Sequence, residues 1–320
     1  MNLPCFLYLR RMLPCGCYFA VLCFAALCFA TVGNAGEPIA ELGPVGEVTK
    51  VKGDFQFTEG PTQTPDGSLY FTDIPAESIF KLTPSGEIEL FFKPSGFANG
   101  LMYGGSKRLL ACQMDGQLVS IDLADKQVTI LADKYKDKRF NACNDLVIDK
   151  QGGIYFTDPR YRAPEPWPQG TEAFYYRAPD GTVTRLGEDI SAPNGIILSI
   201  DEKTLYVVPS MQRQVMAYTV TEPGKLGDRK ILCELKQTGS NTTQGGDGLT
   251  IDSLGNLYIT SALGVQVFSP NGKLLGIIEV PEHPANVTFG GRDNKTLFIT
   301  ARTGLYKCEM KVAGHQFRSE

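Results

Sequence analysis

Residues 66–73 read DGSLYFTD, and residues 151–158 read QGGIYFTD. Each is a turn-forming pair, an apolar residue, an aromatic residue and further strand formers. The segment recurs as SKRLLACQ at 106–113, EKTLYVVP at 202–209, LGNLYITS at 254–261 and NKTLFITA at 294–301. Aligned on their fifth position, the markers are Tyr70, Leu110, Tyr155, Tyr206, Tyr258 and Phe298, spaced by 40, 45, 51, 52 and 40 residues. Each repeat holds short β-forming runs broken by Gly, Asp, Asn and Pro, and helical periodicity is hard to find. About four strands per repeat of roughly 40–50 residues is the pattern of a propeller blade. The chain therefore reads as all-β, a six-bladed β-propeller. A β-sandwich with fortuitous self-similarity is the competing fold, and six segments in phase argue against it.

A second feature runs in phase with the first. Eleven or twelve residues before each marker stands a carboxylate or amide side chain: Glu59, Asn99, Asn144, Asn194, Asp247 and Asn286. Their contexts are TEGPT, ANGLM, CNDLV, PNGII, GDGLT and PANVT. The first strand of a propeller blade lines the central channel. A residue opening that strand lies at one mouth of the channel, so six such positions converge on the axis. Oxygen side chains gathered in this way suit a hard cation, calcium above all, which takes six to eight oxygen ligands. Glu59 and Asp247 would balance its charge, and without a cation a buried ring of unpaired oxygens is costly. Taken singly, each residue reads as a turn former; it is the register of all six that points to a site.

The same geometry returns the loop after each marker strand to that mouth. Residues 73–78, 158–173, 209–214, 261–264 and 301–304 are expected to ring the metal. The loop at 158–173 is the longest and carries Arg160, Tyr161 and the only tryptophan, Trp167. It reads equally as a substrate wall or as a surface loop.

Beyond the repeats, the first 35 residues differ from the rest. Arg10 and Arg11 precede an uncharged, mostly apolar run from Met12 to Ala30, and Gly33 and Ala35 are small residues at cleavage-site positions. This is the pattern of a secretory signal peptide over 1–35, leaving one propeller domain over 36–320 and an exported, periplasmic or secreted, protein. An uncleaved anchor is the alternative. No later segment is apolar enough to span a membrane. Residues 36–320 hold 29 basic and 35 acidic side chains, a net charge of −6, with no basic stripe for nucleic acid. Cys112, Cys143, Cys233 and Cys308 remain, without the spacing of a zinc site, and their pairing is left open. Sequons stand at Asn241, Asn286 and Asn294; a glycan on Asn286 would contradict its place in the channel.

Over roughly residues 45–310 the chain resembles the SMP-30/gluconolactonase/LRE-like family of calcium-dependent six-bladed propellers. Glu59 in Glu-Gly-Pro, Asn144 in Asn-Asp-Leu, Asn194 in Pro-Asn-Gly and Asp247 in Asp-Gly are similar to that family's metal-ligand motifs in order and phase. PANVTFGG and TLFITARTGLY are similar to bacterial gluconolactonase-like members. Two departures bear on substrate: Gln63 stands where many members have a tryptophan, and Ala142 where some carry a substrate-binding arginine. The resemblance implies a hydrolase that opens the ring of a small sugar lactone at a channel calcium. Asp247 would be the catalytic base as well as a ligand, with Asp145 or solvent as the alternative proton acceptor. Asn99, Asp145, Asn286, Arg160 and Tyr161 are assigned to substrate contacts or to support of the ligands. A non-catalytic binding propeller with a structural calcium, or a phosphoester hydrolase on the same metal, are the competing functions. No GxSxG, HExxH, Walker or GxGxxG motif supports another chemistry.

Overall fold

In the computed structural model, which describes residues 38–239 and 244–317, every marker falls in the second strand of a four-stranded antiparallel sheet. Blade 1 pairs Thr58–Gln63, Leu69–Asp73, Ser78–Leu82 and Ile88–Phe92 in chain order. Blades 2 to 5 repeat this over residues 98–132, 146–187, 193–234 and 249–278. Blade 6 takes three strands from residues 284–309 and its outer strand from the other end of the chain, where Val45–Lys52 pairs with Gly304–Glu309. The described residues contain no helix. This is the six-bladed propeller expected from the repeats. The expected leader, residues 1–35, lies outside the described residues, as does Asn241.

Burial follows position in the blade. The second strand of blade 1, Leu69–Asp73, is buried throughout, because neighbouring blades cover both of its faces. The outermost strand, Ile88–Phe92, mixes exposed and buried positions. All six marker side chains are buried between blades. Among the described residues Cys112, Cys143, Cys233 and Cys308 are buried and unpaired, so the described framework is held by packing and hydrogen bonds.

In blades 1, 2, 3 and 5 the residue two after the marker stitches the blade to the next. Thr72 Oγ1 donates to the Asn99 carbonyl (3.1 Å), Thr157 Oγ1 to that of Asn194 (2.8 Å) and Thr260 Oγ1 to that of Ala285 (2.8 Å). In blade 2 a thiol takes the role, with Cys112 Sγ donating to Asp145 O. Blade 4 has Val208 at this position, and Ser210 instead donates to the Gly246 carbonyl at 2.9 Å. Thr58 Oγ1 completes the ring by donating to Gly304 O at 2.9 Å. In blades 1 and 3 the residue three after the marker holds the entrance of its own blade. Asp73 accepts the backbone N–H groups of Gln56 and Phe57, and Asp158 those of Asn141 and Ala142.

Closure of the ring centres on Glu282. Its carboxylate accepts from Lys50 on the closing strand (2.8 Å), from Tyr306 (2.6 Å) and from the backbone and hydroxyl of Thr303. Burial pushes this carboxyl up, but those hydrogen bonds outweigh it and bring the group down to about 2. A carboxyl lowered by folding stabilises above its ordinary value and loses that contribution as pH falls through the folded value. The stability of the wild type should therefore fall between about pH 4.5 and pH 2. Glu282→Gln should melt lower at neutral pH and approach the wild type as pH nears 2, measured by thermal melts across that range. Thr157→Val keeps shape but leaves the Asn194 carbonyl without its donor. It should cost about 1–3 kcal/mol in a urea titration, whereas Thr129→Val on an exposed strand should stay within about 0.5 kcal/mol.

Candidate metal centre

The innermost strands begin irregularly, and this aims the oxygen side chains. Their ladders shift register between Glu59 and Thr62, Ala98 and Leu101, Pro193 and Ile196, and Pro284 and Asn286. Bulges of this kind bend a strand and redirect a side chain. In blades 3 and 5 pairing starts only at Leu146 and Leu249, leaving Asn144 and Asp247 just ahead of the ladder. The inner strands approach closely. A Cβ on Gly60 would lie 2.0 Å from the Asn99 carbonyl oxygen, and one on Gly248 2.1 Å from Asn286 Cγ. Glycine after the ring residue is thus a condition of closure at both positions. Backbone bonds join the strands there, including Gly100 N–H to Asn144 O at 2.7 Å.

Glu59, Asn99, Asn144, Asn194 and Asp247 line one cavity of about 430 Å³, together with Tyr161. All five expected loops contribute to it, through Ile74 and Pro75, Tyr161 and Arg162, Ser210, Ser261 and Arg302. The Asn194 amide donates to Ser210 Oγ at 3.0 Å and also bonds the Asp247 carboxylate, so these two ring residues meet. Glu59 Oε2 accepts the Gly60 N–H at 2.9 Å.

Electrostatics make this cluster unstable without a counter-charge. Burial pushes the Glu59 carboxyl up to about 7, against hydrogen bonds from Gly60 and Asn286 and the positive Arg302. Asp247 is held well above the usual carboxylate range, first by burial and then by the charge of Glu59. Asn144 Oδ1 is buried without a hydrogen-bond partner. A cation on the axis answers all three observations: it accepts the orphaned oxygen and favours both ionised carboxylates. The residues present therefore fit a metal. The donors are carboxylate and amide oxygens, and among the described residues no cluster of three His, Cys, Asp or Glu forms. Such a set favours a hard ion over zinc.

Other expected residues fall elsewhere. Asp145 and Asn286 do not line the open cavity. They face the opposite end of the channel, a space of about 100 Å³ also lined by His315, Gln316 and Phe317. From there the Asn286 amide bonds both the Glu59 and Asp145 carboxylates, supporting a ligand from behind. Burial keeps Asp145 up at about 7. Asn286 is too buried to carry a glycan in the folded protein. Arg160 pairs with Glu172 at 3.8 Å and lies over Trp167, and neither Arg160 nor Trp167 lines the cavity. Sequence reading missed Arg162, Arg302, His283, Phe57 and Met114, all of which line it. Loop phase had placed 301–304 at the mouth, and nothing in the repeat singled out one side chain. Burial, then Arg302, lowers His283, which is neutral near pH 7.

A family profile for the SMP-30/gluconolactonase/LRE-like region matches residues 57–303. The chain belongs to this family. The gluconolactonase of Zymomonas mobilis is 30% identical over 289 residues, covering 82% of this chain and 81% of the relative. The solved structure of a gluconolactonase from Xanthomonas campestris aligns with a TM-score of 0.78 and 27% identity, covering 86% of this chain and 94% of that one. A regucalcin from Agrobacterium tumefaciens shares the fold, with a TM-score of 0.72 at 22% identity over 89% of this chain and 97% of that one.

Calcium saturating such a site should stabilise the fold by mass action, about 2.7 kcal/mol at a hundredfold excess over Kd. That is an increase of roughly 4–5 °C in melting temperature for a domain of this size. Asn144→Ala and Asp247→Asn should each lose most of that increment relative to chelator-treated protein, read by scanning fluorimetry.

Proposed function

We propose that this protein is a divalent-metal-dependent lactonase that opens the ring of a small sugar lactone, with calcium the favoured ion, and that it acts after export. The observation that carries the reading is the convergence of two carboxylates, Glu59 buried and Asp247 half-buried, and an orphaned amide oxygen, drawn from different blades, on one open cavity. The gluconolactonase relatives supply the reaction class.

Glu59, Asn144, Asn194 and Asp247 would hold the ion. Bound there, it supplies Lewis-acid polarisation of the lactone carbonyl and stabilises negative charge on its oxygen. The remaining work falls to the chain. Phe57, Ile74, Pro75 and Met114 form an apolar wall that holds the sugar ring and limits water. Of the two carboxylates lining the cavity, Glu59 is buried while Asp247 keeps surface towards the space. Asp247 is therefore placed to take a proton from the attacking water. Water oxygen bonds to the carbonyl carbon, the ring C–O bond breaks, and Asp247 returns the proton to the departing ring oxygen. Asp145 cannot share this role, since it faces the other end of the channel. A purely binding propeller would be favoured by a mouth plugged with Arg160 or Trp167, and both lie outside the cavity lining.

The test follows acid release from an aldonolactone panel by residues 36–320, with and without a calcium chelator. Chelation should abolish turnover and calcium restore it. Asp247→Asn should lower kcat by at least about 10²-fold, the size of a general-base contribution. If no lactone reacts while chelation still lowers the melting temperature, the metal is structural and the lactonase reading fails; turnover of a phosphoester panel would instead assign the phosphoesterase chemistry.

A further inference from the structure

Two arginines line the open cavity, and each rests on an aromatic ring. Arg162 enters from the loop of blade 3 and lies over Phe97, its guanidinium carbon 3.5 Å from the ring centroid. Arg302 enters from the loop of blade 6 and lies over Phe57 at 4.8 Å. Phe57 and Phe97 are equivalent in the repeat, each two residues before the ring residue of its blade, Glu59 and Asn99. The two rings thus stand at matching positions on adjacent blades 1 and 2, and the arginines reach them from the flanking blades 6 and 3. The described arginine ion pairs engage Arg160, Arg185, Arg213 and Arg229, not Arg162 or Arg302. Stacking on a ring face fixes the guanidinium plane and leaves its N–H edge free for a planar or tetrahedral anion.

Charge balance points the same way. The other ionised groups lining the cavity are Glu59 and Asp247. A divalent ion offsets those two, which leaves the arginine pair as a net positive field at the mouth. A neutral sugar would draw little from two guanidinium groups that water already solvates. An acidic group set away from the lactone carbonyl would engage them in charge-assisted bonds.

We propose that Arg162 and Arg302 form an anion clamp at the rim, and that the natural substrate is a lactone bearing a carboxylate or phosphate away from the ring carbonyl. The substrate class rests on the lactonase reading; the clamp does not. The experiment compares kcat/KM for gluconolactone with that for glucarolactone and phosphogluconolactone. The wild type, Arg162→Gln, Arg302→Gln and the double variant are assayed with melting temperature as the check on folding. The readout is the ratio of charged to neutral probe. In the wild type it should be about tenfold or more, the scale of one charge-assisted hydrogen bond. It should shrink in each single variant, fall to near one in the double variant and weaken with salt. Whichever charged probe gives the larger ratio identifies the acidic group. A wild-type ratio near one, or a preference that survives in the double variant, overturns the clamp. Calorimetry of the calcium-loaded protein separates the two readings. If no lactone turns over, the lactonase reading fails, and glucarate binding more tightly than gluconate only while the arginines are present still supports the clamp. Equal binding of the two acids overturns it.

Discussion

The structure depends on a hydrogen bond made between blades: a side chain on the second strand of one blade donates to the main chain at the innermost strand of the next. Thr72, Cys112, Thr157 and Thr260 make it from one repeat position, Ser210 makes it from just past the second strand of blade 4, and between blades 6 and 1 the bond runs the other way, from Thr58 on the innermost strand of blade 1 to Gly304 O. The acceptors include the carbonyls of Asn99 and Asn194, whose side chains face the axis. The bond that closes the ring thus also fixes the backbone from which the site projects. Burial pushes the Cys112 thiol up, so it stays protonated and able to donate. A repeat that keeps a donor here, whether hydroxyl or thiol, satisfies the same buried carbonyl.

Closure brings acidic groups together at an electrostatic cost. Beyond burial, Glu59 raises the proton affinity of Asp145 and Asp247, Asp145 raises that of Asp247, and Arg302 offsets only part of this at Glu59 and Asp247. Such a cluster is tolerated when a ligand supplies charge that the chain lacks. The support is layered: Asn286 holds Glu59 from the far side, and Asp158 pins the backbone ahead of Asn144. The blades fix where a cation sits, and these rear contacts fix how its ligands are turned.

Most of the fold was legible because propeller geometry repeats in the sequence. The aromatic marker records blade-to-blade packing, and the preceding oxygen residue records the axis. The markers and the five cavity-lining ring residues therefore fall where the phase predicts. What phase cannot carry is depth along the channel. Asn286 matches the sequence spacing, yet it faces the opposite end with Asp145, because on the ladder both stand directly before the residue paired one past the marker (Val287 with Ile299, Leu146 with Phe156), whereas Asn144, Asn194 and Asp247 stand two before it, and alternate residues of a strand face opposite ways. The closing strand was also hidden, since Val45–Lys52 pairs with residues near the other end of the chain and carries no marker. The loops were placed correctly as segments, and Tyr161 within them, but the arginine was not. Arg160 was singled out beside Trp167, and the residue that enters the cavity is Arg162.

That last difference shows how labour is divided in the molecule. Residues that would hold a metal open buried strands, where bulges, glycines and inter-blade bonds leave little freedom. Residues that would hold a substrate come from loops, such as Arg162 and Arg302, and lean on rings that the strands provide. Changing Glu59 or Asn144 alters the oxygen set on the axis, whereas changing a loop arginine alters what the cavity admits. Ala142 fits this division. It is buried ahead of Asn144, its N–H is held by Asp158, and it leaves no charge at that position. A positive group reaches the same mouth from the following loop instead. Chemistry can therefore stay with the strands while selectivity moves among the loops, which ties the choice of substrate to rim charge and leaves the choice of ion to the axis.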